Sequence, residues 1–102
     1  MVIVKKSPVH GKGVFSTCFL KSGTILSCDV LEVSRDLNIM EYVLCSVDTK
    51  YYIHIGFASF INSSEQPNVK HLNVDFDKNI SYFEIISDVQ EGEEIFLKYI
   101  IT

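Results

Sequence analysis

A mostly β domain of short folded hairpins with one short helix is the fold class that the sequence predicts. Three observations carry it: turn residues recur at short intervals, the segments between them are rich in β-branched and aromatic residues, and a single stretch repeats at helical spacing. Val2-Ile3-Val4 opens as a strand, and the loop Ser7 to Gly13 follows with Pro8, Gly11 and Gly13. Val14-Phe15 resumes an apolar segment, and Lys21-Ser22-Gly23-Thr24 is a turn by composition. Ile25 through Val33 reads as one strand or two short ones. The helix is expected from Asp36, which can cap it, because Leu37, Met40, Val43 and Leu44 recur at spacings of three and four. Tyr51 to Ile55 is a strand ending at Gly56. Phe60 to Asn68 places polar turn residues after an apolar approach. Val69 to Phe76 and Ile80 to Ile86 alternate around a hairpin turn, Asp77-Lys78-Asn79. Val89 to Glu94 is another turn, and Ile95 to Ile101 is the last strand. Repeats, linkers and low-complexity tracts are absent from the pattern.

The totals bound the function. A length of 102 residues suits one domain, and 47% hydrophobic with 22% charged residues is ordinary for a globular protein. No apolar run approaches the roughly 20 residues that a membrane helix needs. The opening MVIVKKSPVHGKG reaches lysines too early for a signal peptide, so an intracellular protein is expected. A net charge of −4 argues against direct nucleic-acid binding and suits basic partners. Cys18, Cys28 and Cys45 lack C-x-x-C spacing and read as buried reduced thiols. His10, His54 and His71 are scattered, so no metal site is expected.

Three segments carry chemistry when taken in order: Gly11-Lys12-Gly13-Val14-Phe15, then Phe60-Ile61-Asn62-Ser63-Ser64-Glu65-Gln66-Pro67-Asn68, then Glu91-Gly92-Glu93-Glu94-Ile95 with Tyr99. They resemble the G-x-G stretch, the N-H-S-x-x-P-N block and the G-E-E-[IL]-x-x-x-Y ending of SET-domain protein-lysine methyltransferases. The opening Val2 to Pro8 is also similar to the start of a minimal viral member of that family. The resemblance spans nearly the whole chain and implies one minimal SET domain over residues 1–102, without pre-SET or post-SET regions. It also implies a β-clip of hairpins closed by a C-terminal pseudoknot, an exception to the rule against threaded connections.

The implied activity is methyl transfer from S-adenosylmethionine to a lysine of a basic protein such as a histone tail. The amine must attack in its neutral form, although free lysine has a pKa of about 10.4. A narrow apolar channel and a neighbouring positive charge both lower that value, and the remaining task is alignment. By resemblance, Tyr99 is the catalytic residue whose hydroxyl orients the amine. Lys12, Gly13, Asn62, the backbone of Ser63 and Tyr99 contact the cofactor, with Gly11 and Gly13 allowing close approach. Tyr51, Tyr52, Phe57 and Phe60 are candidates for the substrate channel. Glu93 and Glu94 match a structural acid pair, one of which holds the crossing strand. The plain reading of each remains open: the glycines as a turn, Asn62 and Pro67-Asn68 as polar turns, the aromatics as core.

The sequence departs from the family pattern at Ser63, where histidine is usual, and at Ile100, where glycine is common. It ends at Thr102, three residues after Tyr99, so a second subunit, a partner or the substrate is expected to complete the channel wall. The alternative functions are a non-catalytic SET module that binds a peptide or partner protein, and a structural homodimer with a vestigial site. A histone substrate would imply a nuclear, chromatin-associated location.

Overall fold

The computed structural model describes residues 1–33, 45–47 and 50–98, which form nine strands and one turn of 3₁₀ helix. β1 (Val2–Lys6) and β2 (Lys12–Ser16) pair antiparallel, with Val2 opposite Ser16 and Lys6 opposite Lys12. Between them, Ser7 N–H donates to the Gly11 carbonyl at 2.7 Å, and Gly11 adopts φ +47°, in the left-handed region.

β3 (Ile25–Val33) is one strand, not two. Its alternation is strict: Leu26, Cys28 and Val30 are buried while Ile25, Ser27, Asp29 and Leu31 are exposed. β4 (Cys45–Val47), β5 (Lys50–Ile55), β7 (Val69–Asp75) and β8 (Ile80–Ile85) join it in an antiparallel sheet of order β4-β5-β3-β8-β7. The β7–β8 turn falls where composition places it. Asp75 Oδ1 accepts from the N–H groups of Asp77 and Lys78 at 3.0 and 3.2 Å, and Asn79 takes φ +57°.

The second sheet has four strands in the order β1-β2-β9-β6, where β6 is Asn62–Ser63 and β9 is Glu94–Leu97. β9 begins one residue earlier than the expected Ile95; residues 99–102 of the expected strand lie outside the described residues, as does the expected helix from Asp36 to Leu44. Among the described residues, a helical turn occupies Phe57–Phe60, directly after Gly56, in the apolar approach to the polar block.

Both sheets share one core. Val14 and Ile95 from the smaller sheet pack with Leu26, Val69, Phe83 and Ile85 from the larger one. The side chains of Phe83, Ile85 and Ile95 are at most 1% exposed, and burying a side chain of that size contributes about 1.5–3 kcal/mol. Leu20 and Val89 exchange backbone hydrogen bonds at 2.8 and 2.9 Å, tying the turn before β3 to the segment before β9. Cys28 is buried, whereas Cys18 is exposed, so the expectation of buried thiols is corrected at Cys18, which sits in a turn after β2. No helix among the described residues is long and apolar enough to cross a membrane.

Candidate functional site

Three stretches distant in sequence meet around β9: the Ser7–Gly13 loop, the block from Phe57 to Asn68, and β9 itself. β9 runs antiparallel to β2, with Val14 opposite Ile95, and parallel to β6, with Asn62 opposite Phe96 and Ser63 opposite Leu97. The rest of the block clamps it further. Ser64 N–H donates to the Leu97 carbonyl at 3.0 Å, and Asn68 N–H donates to the Phe96 carbonyl at 3.1 Å. The Asn68 side chain mimics a neighbouring strand: Nδ2 donates to the Glu94 carbonyl at 3.0 Å and Oδ1 accepts from Phe96 N–H at 2.7 Å. Residues 62–68 thus hold the last described strand at several points, the crossing that the pseudoknot requires.

Glu94, the first residue of β9, turns its carboxylate toward the other two stretches. Oε1 accepts from Ser7 Oγ–H at 2.7 Å, and Oε2 accepts from Asn62 Nδ2 at 2.8 Å. The same Asn62 nitrogen lies 3.1 Å from the His10 carbonyl and 3.2 Å from the Lys12 carbonyl. Gly13 makes the approach feasible. A Cβ there would stand 2.9 Å from Glu94 Cδ and 3.0 Å from Ser7 Cβ, and closer still to Glu94 Oε2. The second glycine of the G-x-G stretch therefore accommodates a carboxylate of this chain.

Lys12, Gly13, Phe60, Asn62 and Ser63 come together. Lys12 Nζ sits 5.9 Å from the centroid of the Phe60 ring, which is 41% exposed. β6 is the outer strand of its sheet, so one edge of the Asn62–Ser63 backbone faces away from β9. Tyr99 lies outside the described residues. The other channel candidates diverge. Phe57 is half-buried and packs toward Phe83, with ring centroids 6.2 Å apart. Tyr51 and Tyr52 are neighbours on β5 and so point to opposite faces of the sheet; one channel wall takes one of the two. Tyr52 is 4% exposed and meets His54 and Phe76 edge-on, at 5.3 and 5.9 Å.

A second polar cluster went unread in the sequence. On the larger sheet, the Oγ of fully buried Ser81 lies 3.1 Å from His54 Nε2 and 2.7 Å from His71 Nε2. Phe83 borders both rings, at 5.4 and 5.1 Å. Burial, reinforced by the neighbouring His71, pushes the His54 pKa down to about 4, and burial lowers that of His71. Burial likewise raises the Cys28 thiol, which donates to the Ile55 carbonyl at 3.0 Å. The only available signal was period-two alternation, which puts His54 on the face of Tyr52; nothing local linked it to Ser81. Ser7 was missed similarly, because its partner Glu94 is 87 positions away.

A family model described as SET domain matches residues 11–100 of the chain. No curated protein matches the sequence. Among solved structures 113 chains match, so the architecture recurs widely. One is a crystal structure from Plasmodium falciparum of a protein provisionally named a histone methyltransferase. It superposes with a TM-score of 0.84 at 20% identity, over 99% of this chain and 94% of that one. Identity that low speaks for the fold alone.

Proposed function

The chain belongs to the SET-domain family, and from that premise we propose that it is a protein-lysine N-methyltransferase acting as one minimal SET domain. The observation that carries this reading is the clamped parallel pairing of β6 with β9, which sets Asn62–Ser63 beside the strand leading toward Tyr99.

The residues present fit S-adenosylmethionine. Lys12 offers a cation for a carboxylate, Asn62 Oδ1 an acceptor for an amine, the free edge of Ser63 backbone hydrogen bonds, and Phe60 an exposed ring. Gly13 keeps this wall thin. When bound, that cofactor supplies an electrophilic methyl group on a sulfonium. The chain's own part is to hold a lysine amine neutral and aligned: Phe60 and either Tyr51 or Tyr52 would line an apolar channel, and the Tyr99 hydroxyl would orient the amine. A net charge of −4 favours a basic substrate, of which a histone tail is the proposed class, with a nuclear location following from it. A second copy of the chain would supply a further channel wall.

The test is calorimetric titration of cofactor-stripped protein with S-adenosylmethionine and S-adenosylhomocysteine, followed by methyl transfer to histones. Saturable binding near one per chain and labelled lysine are the expected results; absence of both would end the enzyme reading. Tyr99→Phe should sharply lower transfer, or change the number of methyl groups added, while the fold persists. Unchanged rate and product would remove Tyr99 from the site.

A second reading, a non-catalytic module that binds a peptide or partner protein, draws on Ser63 and on the commitment of Asn62 Nδ2 to three acceptors within the chain. It predicts partner capture that is indifferent to added S-adenosylmethionine, measured by pull-down with and without it.

A further inference from the structure

A carboxamide can be placed in two orientations that exchange oxygen for nitrogen, and its neighbours decide between them. Around Asn62 the three polar neighbours are all acceptors: the His10 carbonyl, the Lys12 carbonyl and Glu94 Oε2. The nitrogen must face them, which leaves Oδ1 on the opposite side. The His10 carbonyl belongs to an exposed loop and the Lys12 carbonyl to the first residue of β2, at 3.1 and 3.2 Å, whereas Glu94 is the nearest at 2.8 Å and is rooted in β9. Glu94 is itself braced, because Ser7 donates to its other oxygen while accepting from Val9 N–H at 3.0 Å. The space for this carboxylate is what the missing Cβ of Gly13 leaves.

We propose that Glu94 is a positioning residue of the candidate site: its carboxylate fixes the Asn62 carboxamide so that Oδ1 is presented outward as an acceptor for a ligand N–H. The inference rests on the proposed cofactor site and deepens it. It gives Gly13 a specific part, since any side chain there would displace the carboxylate and release Asn62. It also makes the site's geometry depend on the docking of β9, so the acceptor is formed only when that strand is in place.

The experiment follows the Asn62 side-chain NH₂ signals of the ¹⁵N-labelled full chain by nuclear magnetic resonance, alongside S-adenosylmethionine titration. Glu94→Met keeps the length of the side chain and removes both acceptor oxygens; Glu94→Gln keeps one and serves as the conservative rescue. In Glu94→Met the Asn62 carboxamide protons should exchange with water about tenfold faster and the cofactor Kd should rise about tenfold, the loss expected for one hydrogen bond to a charged group. Glu94→Gln should recover most of both. A purely structural Glu94 would lower the thermal midpoint while leaving Asn62 exchange and cofactor affinity unchanged, and that result overturns the proposal. Should Glu94→Met fail to fold, Gly13→Ala places a Cβ where the Glu94 carboxylate stands; faster Asn62 exchange is the expected result there, and unaltered exchange in the folded variant overturns the proposal equally. Failure of the wild-type chain to bind S-adenosylmethionine would remove the proposed function, and the Asn62 exchange rates alone would then decide the role of Glu94.

Discussion

At Gly13 the demand is steric, because the backbone lies against the Glu94 carboxylate and the Ser7 side chain. Gly13→Ala should therefore destabilise the domain by about 1–3 kcal/mol, the usual cost of forcing atoms into a packed site, read as a lower thermal midpoint. A midpoint equal to wild type would show that Glu94 can swing aside at no cost. Gly11 makes a different demand, since its φ of +47° is conformational and its missing Cβ meets open space. Sequence reading could see both glycines and a turn. It could not see which atom stood over Gly13, because that atom arrives from the other end of the chain.

Among the elements, β9 depends most on side chains for its place. Asn68 satisfies one donor and one acceptor of its backbone, so Asn68→Ala leaves the Phe96 N–H and the Glu94 carbonyl without those partners. The expected cost is about 2–3 kcal/mol, measurable by denaturant unfolding, with faster amide exchange at Phe96 than at Phe83. Equal protection at the two sites would mean that β2 alone secures the strand. The β7–β8 hairpin was legible in its two runs and its turn, though not in the register shift between His71 and Asn73: the runs flank Asp77-Lys78-Asn79, and Asn79 tolerates its φ of +57°. Asn79→Val should cost about 1–2 kcal/mol because a β-branched residue is strained there, whereas Asn79→Gly should leave the unfolding midpoint near wild type. β6 was not legible, since two residues of parallel strand inside a polar block have no periodicity of their own.

For the whole molecule, the His54–Ser81–His71 cluster links β5, β8 and β7 through one buried hydroxyl. A single Ser81 hydroxyl can donate to one imidazole and accept from the other only while the ring that receives its proton is neutral. Tyr52 meets the His54 ring and Phe83 borders both, and the lowered values arise from burial, with His71 adding to the effect at His54. An unfolded histidine binds its proton near pH 6.5, while folded His54 resists until about 4. Between those values the unfolded chain holds more protons, so acid favours unfolding. This contribution is complete above about pH 6.5 and fades as pH falls to about 4. The thermal midpoint should drop across that window, and His54→Phe should flatten the slope there; an equally steep slope in the variant would remove His54 as the cause. Bound cofactor should act on the molecule as a whole too, adding about 2.7 kcal/mol of stability at a hundredfold excess over Kd. No rise in the thermal midpoint would agree with the non-catalytic reading.

Local chemistry sufficed for the mostly β class, the strand character of Ile25 to Val33, the turns at Lys21–Thr24 and Asp77–Asn79, and the apolar faces that became the core. Each depends on residues within a few positions of one another, through side-chain alternation or the backbone preference of turn residues. Motif resemblance added the family and pointed to Asn62 and the Glu93–Glu94 pair. What required the folded chain was the convergence: Ser7 reaching Glu94, Asn68 completing the backbone of β9, and two histidines sharing Ser81. Such contacts join residues whose separation in sequence carries no local periodic signal, and they exist only after strands distant in the chain have come together.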